Sequence, residues 1–222
     1  MEKLKALALF RTIVEAETPS VLREFYAASS KTRTDSGGAN RVIFPLTDVA
    51  IAHAEKLHKD MWACLLSQLE RVSLDWTQET LEDLISLMRE IAEPVASELY
   101  SQVRTKEAAY PAIVGPAVKR IDEALRMHAA AVDAKLDIYV ANRRRLQILD
   151  VLRDLESRLV VDGHAAEVLL HARAIRLEAE LPEPNEKKLK EGLDVLSIAV
   201  QGINAAIDLG PKLATLISWL PG

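Results

Sequence analysis

From Gly192 to Leu220 the chain reads GLDVLSIAVQGINAAIDLGPKLATLISWL, apolar almost all the way round a helix. Its polar residues Asp194, Ser197, Gln201, Asn204 and Asp208 recur at steps of three and four. On a helix of about 3.6 residues per turn such a row keeps to one side. A segment this apolar is not a surface helix. It is the centre of a bundle, a partner-docking helix or a membrane-seeking element. Trp219 would suit a membrane interface, but Asp208 and the scarcity of basic residues do not suit an anionic bilayer. We therefore expect a buried apolar C-terminal helix, capped by Asn185 and broken at Gly210-Pro211, with its polar line turned to solvent or to neighbouring helices.

The chain of 222 residues is long enough to bury a core, and 49% hydrophobic with 27% charged residues is an ordinary globular balance. Only 8 glycines and 9 prolines punctuate it, and runs of β-branched residues are scarce, so helix is expected nearly throughout. A net charge of -5 argues against a dedicated nucleic-acid binder, which needs a basic excess against phosphate. Cys64 is the only cysteine. That excludes an internal disulfide, fits a reducing compartment and leads us to expect a cytoplasmic protein. The start, MEKLKALALFRTIVEAE, reads as an amphipathic first helix rather than a signal peptide, since Arg11 and Glu15 interrupt the apolar run. No uncharged apolar stretch reaches the roughly 18–20 residues of a transmembrane span.

Periodicity divides the rest. A helix is expected over Lys3–Ala16, then a break at Thr18-Pro19-Ser20 and a shorter helix carrying Val21, Leu22, Phe25 and Tyr26. Residues 29–40, SSKTRTDSGGAN, read as a loop. It has Gly37-Gly38 with Lys31, Arg33 and Arg41, but not the spacing of a phosphate-binding Walker loop. Thr47-Asp48 is an N-cap for a helix to about Val72 with Leu57, Met61, Leu65 and Leu69 buried. Asp75 and Gln78 resemble a capping box before the stripe Leu81, Leu84, Ile85, Met88, Ile91, Val95 and Leu99, which Pro94 should kink. Tyr110-Pro111 to Gly115-Pro116 punctuates the chain. Residues 117–160 then read as one helix with Leu125, Val132, Tyr139 and Leu146 every seven. The second seam of Ala129 and Leu136 runs into Arg143 and Asp150, so the helix must leave its partner there or bend near Ala141-Asn142. A turn at Val161-Asp162-Gly163 leads to a helix from His164 to about Glu180, and LPEPN (181–185) links it to the last.

Candidate chemistry is sparse. His164, Glu167 and His171 fall three and four apart, on one face of a helix, as a partial metal site; no HExxH order accompanies them. His53 and His128 adjoin apolar stripes and read as boundary histidines. Arg158 and His164, in RLVVDGH, are similar in spacing alone to the arginine–histidine pairs of HEPN-type helical RNases, where histidine moves a proton and arginine steadies phosphate charge. Leu159 and Gly163 depart from that pattern. Arg143-Arg144-Arg145 is a tight basic cluster suited to phosphates, headgroups or an acidic partner. No nucleophile elbow, CxxC or dinucleotide fingerprint is present.

Together these observations predict an all-α, elongated multi-helix bundle, with a long antiparallel helical hairpin around residues 117–180. We expect one domain over residues 1–222, with the 110–116 break as a candidate sub-boundary. The expected function is a non-enzymatic protein-interaction or assembly module, with coiled-coil contacts and self-association, and with no catalytic, cofactor-binding or metal residues. The alternatives are a membrane-disrupting effector acting through the C-terminal helix and a HEPN-like RNase.

Overall fold

In the computed structural model, which describes residues 2–35, 39–71, 74–162 and 166–220, the chain is all-α. Seven α-helices and two 3-10 turns make up its elements among the described residues, and no strand occurs there. The chain separates into two compact units, Met1–Leu74 with Glu82–Leu136, and Asp75–Leu81 with Asp137–Gly222.

The first unit holds α1 (Glu2–Asp35), α2 (Ala39–Leu69), most of α3 (Gln78–Arg104) and the first half of α4 (Pro111–Asp162). Helix α1 packs on α2. The expected break at Thr18-Pro19-Ser20 is absent, and α1 runs straight through Pro19. A helical proline forfeits one hydrogen bond and crowds the preceding turn. Here Phe10 before it and Val21 and Phe25 after it are all buried, which holds both sides of the proline in one helix. The loop expected over 29–40 is likewise mostly helical: α1 reaches Asp35 and α2 begins at Ala39, while Gly37-Gly38 lie outside the described residues. Thr47 does not cap α2 but sits within it, fully buried, its hydroxyl donating to the Ile43 carbonyl at 2.8 Å. A threonine inside a helix satisfies its hydroxyl in this way. The expected buried face Leu57, Met61, Leu65 and Leu69 is found.

The stripe of α3 is also as expected, with Leu81, Leu84, Met88, Ile91, Val95 and Leu99 buried and Ile85 half-buried. Its cap is Thr77 rather than Asp75: the Thr80 N–H donates to the Thr77 hydroxyl at 3.1 Å, and the Thr80 hydroxyl donates to the Asp75 carbonyl at 2.7 Å. Helix α4 starts at Pro111, earlier than expected, because a proline at the first helical position lacks only an N–H that would have no partner. It contains Pro116 and continues unbroken past Ala141-Asn142. Its buried row explains how. Leu125, Val132 and Leu136 follow the heptad, but then Val140, Arg144, Ile148 and Leu152 are buried in steps of four, and Leu146 is exposed. Each step of four turns the row by roughly 40° about the axis. The helix is thus unbroken at Arg143, and its buried row winds away from that seam.

The second unit adds α5 (Ala166–Glu180), α6 (Glu186–Ala199), 3-10 turns at Val200–Gly202 and Asn204–Ala206, and α7 (Leu209–Trp219). Asn185 caps α6 as expected, accepting from the Lys188 N–H at 3.0 Å. The apolar C-terminal segment is buried along one row, including Leu193, Leu196, Leu213 and Leu216. It is two helices, however, and the break falls at 200–208, not at Gly210-Pro211. Ile203 is extended there, at φ -114° and ψ 107°. Pro211 sits in the first turn of α7, where helical N–H groups have no acceptor to lose. Helices α5 and α6 run in opposite directions, with Glu178 beside Lys188 and Ile175 beside Gly192.

A Cβ on Gly192 would lie 2.7 Å from both Cγ1 and Cδ1 of Ile175. Overpacking of this kind costs about 1–3 kcal/mol, more than the roughly 1 kcal/mol that alanine gains over glycine in a helix. Gly192→Ala is expected to lower stability in urea denaturation. In an Ile175→Ala background the same change should raise it.

Candidate functional site

Of the residues that the sequence offers for catalysis, Arg158, Glu167 and His171 are described. His164 lies outside the described residues. Glu167 is exposed, and His171 is half-buried with its Nε2 buried and without a hydrogen-bond partner. Among the described residues no three metal-ligating side chains come together. Arg158 is held by acids: its Nε and Nη2 donate to Asp154 at 3.0 and 2.9 Å, and its Nη1 to Asp208 at 2.6 Å. The Arg158 hydrogen bonds hold the Asp154 carboxyl below the usual carboxylate range. Asp208, placed to cap α7, spends its carboxylate on Arg158 instead.

The three consecutive arginines of α4 point three ways. Arg143 donates to the Tyr139 hydroxyl at 2.9 Å and lies over its ring. Asp150, the other charged residue of that seam, is within 3.8 Å of Arg153. Arg144 is only 9% exposed, donates its Nε–H to the Trp76 carbonyl and leaves a buried Nη2 without a partner. Burial pushes its guanidinium below the ordinary arginine value, opposed by the charges of Glu186 and Asp137. It borders a recess of about 150 Å³ with Asn142, Arg145, Glu186 and Leu220. Arg145 donates to the carbonyls of Ala179 and Glu180 at 2.6 and 2.7 Å, closing the C-terminus of α5. These are among the last four carbonyls of the helix, which have no partner within it, and a cation there also meets the favourable end of the helix dipole.

His53 and His58 each bond to the backbone of their own helix. His53 bonds through Nδ1 to the Val49 carbonyl at 2.8 Å and meets Phe25 edge-on. His58 is buried, bonds through Nδ1 to the Ala54 carbonyl at 2.8 Å, and its ring lies tilted 6.0 Å from that of His128. Asp133, paired with Arg89, borders a small void of about 30 Å³ together with His58. Burial lowers the His58 pKa, against the pull of its backbone hydrogen bond. A cleft of about 510 Å³ between α1 and α3 is spanned by the Arg11–Glu90 ion pair.

What the structure does present is an apolar surface. On α5 the buried row is Ala172, Ile175 and Ala179. On the opposite side, roughly 180° away at 100° per residue, stand Leu170 and Leu177, with Leu181 just past the helix end. They are 65%, 58% and 46% exposed, and exposed Ala174 completes a row spaced four, three, four. Val195 and Ile198 on α6 are exposed as well. The row is visible in the sequence, but so is the inward one; which of two apolar rows faces the core is decided only by tertiary packing. The chain matches no family model, no curated protein and no solved structure.

Two outcomes follow for the groups described. Removing the Arg145 fork by Arg145→Met should cost about 1–3 kcal/mol in thermal or urea unfolding, the usual worth of charge-assisted bonds, and Arg145→Lys should recover only part of it. For His58 the folded state binds a proton less readily than the unfolded chain, whose histidine titrates near about 6.5. The stabilisation is therefore present above that pH and lost as pH falls through and below it. His58→Leu should flatten the stability slope between about pH 7 and about pH 5.

Proposed function

We propose that this chain is a non-catalytic assembly module that binds another protein chain through the outer face of α5. One observation carries the reading: three leucines at helical spacing stand in solvent on the side of α5 opposite its buried row. Scattered exposed leucines need no explanation, but an ordered apolar row on one helix face is what a partner helix packs against. The spacing four, three, four is that of a coiled-coil seam. The polar groups nearby support the same reading, since Arg158 and Arg176 are engaged with Asp154, Asp208, Glu156 and Glu180.

The row can be tested without harming the core, because its members contribute little to it. Leu170→Asp together with Leu177→Asp should leave the far-UV spectrum and melting temperature near those of the parent. Sedimentation across a concentration series should show the parent forming a heavier species that the double variant does not form. A parent that stays monomeric at every concentration, and that holds no other protein through Leu170 and Leu177, would overturn the proposal.

A further inference from the structure

We infer that the occupant of the α5 face is a second copy of this chain, its α5 lying antiparallel to the first. This rests on the assembly reading above and adds the partner and its direction. The first argument is volume. With a two-fold axis between Ile175 and Arg176, Leu170 meets Leu181 of the other copy and Ala174 meets Leu177, so the small residue always faces a large one. A parallel pair would instead set Ala174 against Ala174 and leave a gap between layers of paired leucines. Interfaces pack best where large and small side chains interdigitate.

The second argument is charge. Arg173 and Glu180 stand immediately before Ala174 and Leu181, seven residues apart and on the same edge of the seam. Their side chains are about half and one-third exposed. In the antiparallel register, Arg173 of each copy comes opposite Glu180 of the other, twice over by symmetry. A two-fold interface is self-complementary in this sense: if one residue meets another, the second meets the first. In a parallel pair Arg173 would instead need Glu178. That carboxylate is largely covered and already accepts from the Lys188 ammonium and the Asn185 N–H. Arg173 now leans on Glu156 at 3.6 Å, and Glu180 on Arg176 at 2.6 Å, so both ends sit in ion pairs that a second copy can extend. The seam is short, and small interfaces bind weakly, so the dimer is expected to form in proportion to concentration.

The experiment uses the full chain. In sedimentation, Arg173→Glu alone and Glu180→Arg alone should each weaken the dimer at least several-fold, and the exchange Arg173→Glu with Glu180→Arg should restore it. In a Cys64→Ser background, a mixture of Ala174→Cys and Leu177→Cys chains, one bearing a mass tag, should oxidise chiefly to the mixed 174–177 disulfide. A dimer that cross-links chiefly as 174–174, or that the charge exchange does not restore, overturns the antiparallel inference and leaves the assembly reading standing. A parent that never dimerises, yet holds a different protein through Leu170 and Leu177, removes the second copy as the occupant. A parent with no association of any kind removes both. Melting temperatures of all variants separate these outcomes from misfolding.

Discussion

Three arginines in a row at Arg143, Arg144 and Arg145 organise the second unit. Consecutive residues on a helix point about 100° apart, so one short stretch of α4 reaches three targets. Arg144 gives up most of its water to bind the Trp76 carbonyl, which fixes the segment leading into α3. Trp76 in turn meets Tyr139 edge-on at 5.7 Å, and Arg143 covers the Tyr139 ring. Arg145 takes the end of α5. A buried guanidinium without a paired carboxylate is costly, and it persists here because its hydrogen bond anchors backbone that has no helical partner of its own. A charged run that looks like a solvated face is in fact the joint around which the local helices are fixed.

The all-α class was legible from periodicity, and so were the long stripes of α2 and α3. Boundaries were not. Pro19, Pro45, Pro94 and Pro116 all lie within helices. Local chemistry says that a proline weakens a helix; it does not say how firmly the flanking turns are held. Around Pro19 that holding comes from Phe10 and Phe25, which are not neighbours of the proline in sequence. Thr47 misled for a related reason, since the same hydroxyl can cap a helix or bond back within one. In the C-terminal segment the polar line suggested one continuous helix, but Asp208 is drawn to Arg158 and Ile203 is extended, both consequences of tertiary placement.

The candidate site was legible only in part. The arginine cluster could be seen, but not that each member would find a carbonyl or a ring. His58 gave no signal, because a lone histidine in an apolar stripe is common. The row Leu170, Ala174, Leu177 and Leu181 was present throughout. Helix α5 is apolar on two sides, and its inward side is chosen by α6, where Gly192 lets Ile175 approach. Among the described residues no three metal-ligating side chains come together, and the second unit exposes an apolar row on α5.

The two ends of the segment joining α5 to α6 are held in different ways. Arg145 grips the last carbonyls of α5, and Glu178 receives the Asn185 N–H and the Lys188 ammonium at the start of α6. The outer leucines are therefore carried on a stiff frame. A chain meeting them finds the backbone already ordered, so association gives up little conformational freedom. Encounters then succeed or fail by orientation alone rather than by waiting for a helix to form. For the proposed dimer, how long each contact lasts is then set by how fast the leucines part.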